Sequence, residues 1–194
     1  MFIVITAEDL IKNEVEILKN MANYPITIHV RKPKWSHEKM KAWLAAFSNI
    51  ETSKMMLHQH HELSTLFTIK GLHYTEKHKA DSNLNTELEQ HSKSELTLSA
   101  SFHDLKEAES QTLFDYNVLS PVFDSISKPN YEGKLFQIQN NLKPIMALGG
   151  IKEDNIAITK ALGFNGMAVL GSIWKTSNPT RAFMDLFKVY RQHY

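Results

Sequence analysis

Short apolar runs recur along the chain at near-regular intervals: Phe2–Thr6, Ile26–Val30, Lys54–His58, Gly71–Tyr74, Glu95–Ala100, Asp115–Leu119, Pro144–Leu148 and Gly166–Leu170. Each has the length of a buried strand and is too short for a buried helix. The stretches between them change to helical spacing. Asp9 can cap a helix that buries Leu10, Val15 and Leu18, and Ser36 one that runs to about Phe47 with Trp43, Leu44 and Phe47 inward. A short helix over His61–Phe67 follows, and residues 75–93 are polar enough for a loop or one weak helix. Ser101-Phe102-His103-Asp104 caps a helix through Ser110, and a long loop, Ser120–Tyr131, precedes another helix from about Glu132. Gly149-Gly150 turns the seventh strand into an amphipathic helix; Pro179 opens the last one, apolar at Ala182, Phe183, Leu186 and Val189. Eight strands alternating with helices predict a compact, single-domain α/β fold over residues 1–194, a closed (β/α)8 TIM barrel, with no linker or low-complexity tract.

Length tightens that expectation. At 194 residues the chain is short for a fold that typically takes about 250 and has a lower end near 200, so the barrel must be trimmed to nearly bare βα units. Twenty-two Lys+Arg against 21 Asp+Glu give no electrostatic case for nucleic acid or a membrane surface as partner. Absence of cysteine excludes disulfide and thiolate chemistry and is compatible with a cytoplasmic location. No apolar run approaches the roughly 18 residues of a membrane span, and the opening MFIVIT reads as a first strand, not a signal peptide.

Barrels of this kind carry their active sites at the C-terminal ends of the strands. The second strand offers His29 and Arg31, two apart on one face. The third offers His58, Gln59 and His60, the fourth His73, and the fifth Ser99, Ser101 and His103. The sixth leads into a loop with Ser120, Ser125, Ser127 and Lys128. The seventh and eighth end in Gly149-Gly150 and Gly171-Ser172, turns whose backbone amides can approach an anion. With Arg31 and Lys128 they form an anion-seeking mouth suited to phosphate or diphosphate. His29, His58, His73 and His103 come from four successive strand ends and could gather zinc or iron; lacking a carboxylate partner, they read as polar, substrate-facing residues. Trp35, Trp43, Trp174, Met55 and Met56 read as packing residues.

Six pieces in order carry a family resemblance: IHVRKP at 28–33, GLHYTE at 71–76, SASFHDLKEAE at 99–109, DYNVLSPVFDSISKPNYEGK at 115–134, PIMALGGI at 144–151 and GFNGMAVLGSIW at 163–174. The chain resembles the thiamine phosphate synthase and thiazole tautomerase superfamily over nearly its whole length. The resemblance implies joining of hydroxymethylpyrimidine diphosphate to a thiazole phosphate, the diphosphate departing first to leave a pyrimidine carbocation. It gives Arg31 and Lys128 the role of gripping the diphosphate, and makes Ser101 the serine of the fifth-strand piece, with His103 beside it. It gives Ser125 and Ser127 contacts to the thiazole phosphate, and Gly149, Gly150, Gly171 and Ser172 the backbone phosphate cradle. His29 and His58 stand where the family has a glutamine and an asparagine, and Pro33 where it has a lysine that Lys32 or Lys34 could replace. The synthases hold Mg2+ with two aspartates; those positions fall on Gln59 and about His78, leaving Glu62 or Glu76 as possible ligands. The tautomerase branch needs no metal, and its histidine aligns with Pro121. The expectation is a synthase, with a metal-independent tautomerase or a non-catalytic phosphate-ligand-binding barrel as alternatives, a histidine-metal hydrolase last, and a homodimer by analogy.

Overall fold

The computed structural model describes residues 1–79, 84, 88, 94–124 and 132–194. Eight strands close into a barrel in sequence order. They are β1 Phe2–Ile5, β2 Thr27–Val30, β3 Met55–Leu57, β4 Gly71–Tyr74, β5 Thr97–Phe102, β6 Tyr116–Leu119, β7 Ile145–Leu148 and β8 Gly166–Val169. All neighbours are parallel, and β8 returns to β1 with Ala168 opposite Ile3. The expected TIM barrel is therefore the fold, with every strand within a few residues of its expected place.

Alternation along the strands sorts side chains into two layers. One parity, including Phe2, Val4, Ile28, Val30, Leu57, Leu72, Tyr74, Ile145 and Val169, packs outward against the helices. The other fills the lumen with Ile3, Ile5, Met56, Tyr116, Val118, Met146 and Ala168. The last helix, Pro179–His193, seals the outside: Asn178 caps it by accepting from Arg181 N at 3.0 Å. Its Phe183, Phe187 and Tyr190 meet the ring of Phe2 edge-on at 6.0, 5.5 and 5.1 Å. Burial of such side chains contributes about 1.5–3 kcal/mol each, enough to hold β1 from outside. Ser36 and Asp104 cap the helices His37–Leu44 and Leu105–Ser110, as the sequence predicts.

Three connections differ from expectation. The helix after β1 starts at Glu14, not after Asp9, and Leu10 lies 61% exposed. Buried Glu14 joins Leu18 and Met21 on its inward face because Lys32 Nζ, equally buried, sits 2.7 Å from both its carboxylate oxygens. No helix forms from Glu132: residues 132–142 run irregularly along the loop after β6. Lys134 N and Leu135 N donate to Pro121 O and Val122 O at 3.0 Å, and Gly133 N to Asp124 Oδ1 at 2.8 Å, so hydrogen bonds that a helix would use internally go to that loop. After β8 the Gly171-Ser172 turn is the start of a short helix, Gly171–Trp174, whose Trp174 indole donates to Ile5 O at 2.7 Å. A helical turn, Glu76–Lys79, follows β4.

Candidate active site at the C-terminal mouth

The lumen is apolar towards β1, β7 and β8, and polar on β2 to β5. His29, His73 and Ser99 are 1%, 1% and 0% exposed, His58 5%, and Ser101 is half-buried at the rim. Register explains why they meet: His73 lies opposite Ser99, and Ser99 opposite Tyr116. His29 Nδ1 shares a 2.9 Å hydrogen bond with His58 Nε2, and His29 Nε2 one of 2.6 Å with the Tyr116 hydroxyl. His73 bonds Ser99 Oγ at 2.9 Å through Nδ1 and Ser101 Oγ at 2.8 Å through Nε2. The rings of His58 and His73 stack 4.1 Å apart. Among the described residues His58 Nδ1 has no hydrogen-bond partner.

Burial keeps all three imidazoles neutral. It pushes His29 down to about 3, helped by the Lys70 ammonium. Lys70 Nζ itself donates to Thr27 Oγ1 at 2.6 Å. Burial first, then mutual repulsion among the imidazoles, holds His58 and His73 well below the ordinary histidine range. Burial also raises the Tyr116 phenol. Each neutral ring therefore presents one N–H and one lone pair.

The other expected site residues are dispersed. Among the four histidines, His103 does not join: β5 ends at Phe102, the chain bends to the Asp104 cap, and His103 lies exposed with Nδ1 2.8 Å from Ser120 O. Arg31 stands at the rim, half-buried and ion-paired with Glu8; its backbone N–H donates to Thr6 Oγ1 at 2.9 Å. Lys32 cannot replace the lysine whose place Pro33 takes, because its ammonium is bound to Glu14 beneath the Trp35 and Trp43 rings. Lys34 is exposed. Ser125, Ser127 and Lys128 lie outside the described residues. Gly149 and Gly150 hold φ of 103° and 65°, and a Cβ on Gly150 would fall 2.3 Å from Asp124 O, so both are required by the turn. Gly171 and Ser172 line a cleft of about 540 Å3 between the β7 and β8 loops, with Lys152, Lys175, Glu153 and Asp154 on its walls. Tyr116 is the residue that strand-end reasoning missed; the period-two alternation Tyr116, Val118, Ser120 was the signal that places it inward.

The positions where magnesium carboxylates were expected do not fit that ion. Gln59 Oε1 accepts from Lys32 N at 3.4 Å, and His78 Nδ1 accepts from Thr75 N at 3.3 Å. Glu62 is exposed beside His37 and His60, and Glu76 pairs with Lys79 at 3.0 Å. The buried donors are imidazole nitrogens, which suit borderline ions and not a hard, oxygen-seeking one.

A closed parallel barrel with its polar side chains at the C-terminal ends of the strands defines the (β/α)8 class of enzymes, whose sites lie at that face. The thiamine monophosphate synthase family model matches residues 1–173, and the chain belongs to that family. A thiamine-phosphate synthase of Vibrio parahaemolyticus is 36% identical over 84 residues, 40% of this chain and 41% of that protein, so the match spans about two fifths of the relative's length. Thiamine phosphate pyrophosphorylase of Bacteroides thetaiotaomicron superposes with a TM-score of 0.73 at 20% identity, over 100% of this chain and 98% of its own. The Pyrococcus furiosus protein of that name gives 0.72 at 19%, over 98% and 95%. These two likenesses establish the fold.

Proposed function

We propose that the protein is a thiamine biosynthesis transferase, joining hydroxymethylpyrimidine diphosphate to a thiazole phosphate with release of diphosphate. The observation that carries this is the family match from residue 1 to 173, which includes the glycine turns after β7 and β8. The thiazole phosphate is assigned to Gly149, Gly150, Gly171 and Ser172, with Ser125 and Ser127. The diphosphate is assigned to Arg31 and Lys128, whose cations would offset charge developing on the leaving group. Ser101 and His103 border the space between. Among the described residues no oxygen cage for the magnesium of related synthases is found, and the chain's own part in diphosphate departure is assigned to cations and backbone amides. No helix among the described residues is long and apolar enough to cross a membrane. A cytoplasmic location rests on the cysteine-free composition, and a homodimer on analogy, testable by sedimentation.

The deciding experiment incubates purified protein with both substrates, first with Mg2+ and then with EDTA, and measures thiamine phosphate. Product with Mg2+ is expected. No product in either condition refutes the transferase and leaves a phosphate-ligand-binding barrel or metal-independent chemistry on the thiazole.

A further inference from the structure

Three imidazoles meet just below the rim from three adjacent strands. His29 belongs to β2 and His73 to β4, and His58 follows β3 directly. One nitrogen from each lies within 4.8 Å of one from each of the others. We propose that His29, His58 and His73 form a binding site for one borderline divalent cation of the zinc class, independent of the magnesium of related synthases and of the proposed transferase reaction.

The dimensions suit such an ion. Tetrahedral zinc with nitrogens at about 2.0–2.1 Å holds them about 3.3 Å apart. A triangle with sides of at most 4.8 Å closes to that size if each nitrogen moves by about 1 Å or less. His29 Nδ1 and His58 Nε2 already face each other at 2.9 Å. Rings aimed at one tetrahedral ion have centroids about 5 Å apart. The separations are 5.0 Å for His29 and His58, 4.9 Å for His29 and His73, and 4.1 Å for His58 and His73. Only the stacked pair has to open, by about 1 Å.

The surrounding hydrogen bonds supply outer anchors. A ligating histidine offers one lone pair and donates its other N–H to a group that fixes the ring. With Nδ1 on the ion, His29 keeps Nε2–H on the Tyr116 hydroxyl at 2.6 Å. His73 has Ser99 Oγ at 2.9 Å on Nδ1 and Ser101 Oγ at 2.8 Å on Nε2, so whichever nitrogen binds, the other stays held. His58 is the least committed: its Nδ1 is buried with no hydrogen-bond partner among the described residues, and its Nε2 gives up only the bond to His29. Each ring stays neutral with one N–H, so the exchange needs no net loss of protons. No carboxylate joins the group among the described residues, and an all-imidazole set selects zinc, cobalt, nickel or copper over magnesium or calcium. Ser101, half-buried at the rim, marks the side from which an ion and a fourth, oxygen ligand enter.

The test adds zinc chloride alone to the full chain after EDTA treatment and dialysis, read by calorimetry and imidazole 15N NMR. One equivalent should bind with a Kd of about 1 μM or tighter. It should shift the ring nitrogens of His29, His58 and His73 together, and about 10 mM Mg2+ should not compete. His73→Ala should weaken binding about 100-fold or more. The competing set on this chain is at the surface, where His37 and His60 lie 3.6 and 3.7 Å from Glu62. His37→Ala with His60→Ala should therefore leave the affinity within about twofold. Zinc that shifts only histidines outside the cluster, or fails to bind at one equivalent, overturns the site. The wild-type spectra decide this even if His73→Ala does not fold. None of these readouts needs a substrate, so an inactive wild type counts against the proposed function and not against the metal site.

Discussion

Acid should unfold this barrel by protonating its lumen. His29, His58 and His73 are neutral in the folded protein because burial lowers their affinity for protons, His29 to about 3. In the unfolded chain they titrate near 6.5, so below that pH the unfolded state binds more protons and gains on the folded one. The stability they allow is complete above about pH 6.5 and lost as pH falls. At pH 5.0 His29 alone costs about 2 kcal/mol, from 1.5 pH units at about 1.4 kcal/mol per unit, and His58 and His73 act in the same direction. Glu14 acts oppositely, since burial raises its carboxyl and the folded state takes up a proton there, but it offsets at most one proton of the three. Urea unfolding of the wild type at pH 7.5, 6.5, 5.5 and 5.0 measures the sum. His29→Gln should weaken the pH dependence by about 2 kcal/mol between pH 7.5 and 5.0, whatever it does to stability at pH 7.5. A midpoint that stays constant from pH 7.5 to 5.0 would refute neutral burial of the three imidazoles.

The buried pair of Lys32 and Glu14 gives a second expectation. Lys32→Met alone strands a buried carboxylate and should cost about 3–5 kcal/mol, whereas Lys32→Met with Glu14→Leu recovers most of it; equal losses by urea unfolding would refute the pairing. Gly150→Ala forces a left-handed residue against Asp124 O and should destabilise by more than about 1 kcal/mol, detectable as a lowered Tm. Arg31→Ala should abolish diphosphate binding and spare thiazole phosphate, while Lys128→Ala weakens anion binding by about 1.5–3 kcal/mol. Calorimetry showing equal loss of both ligands in Arg31→Ala would mean the two half-sites are exchanged.

The sequence made the barrel legible because each strand is a short apolar run, and because caps such as Ser36, Asp104 and Asn178 act through neighbours in the chain. It misled where a distant group decides. Glu14 lies inward only because Lys32, on the far side of β2, neutralises it. Residues 132–142 avoid a helix because the amides of Gly133, Lys134 and Leu135 reach the β6 loop and those of Ile138, Gln139 and Leu142 reach Leu162 and Glu109. His103 satisfied the strand-end rule and still missed the lumen, since the strand stops one residue earlier. His29, His58 and His73 were legible as strand-end residues, but their union with Tyr116 and Ser99 required the register between β2 and β6.

In a barrel whose eight strands follow in order, β3 and β4 lie opposite β7 and β8. The imidazoles and the glycine turns therefore face each other across a mouth about 15 Å wide, from eight tilted strands spaced about 4.8 Å apart. A phosphorylated ring anchored by its phosphate at Gly149, Gly150, Gly171 and Ser172 must extend inward, with its ring towards His58 and Ser101. Anchoring and ring contact should consequently separate. Inorganic phosphate should shift the backbone amides of those four residues in an NMR titration and leave the three imidazoles unmoved. Thiazole phosphate should shift both sets together, with the same midpoint. Phosphate that moves the imidazoles but not the glycine amides would place the anion on the β2–β5 side of the mouth and refute the assignment of the cradle.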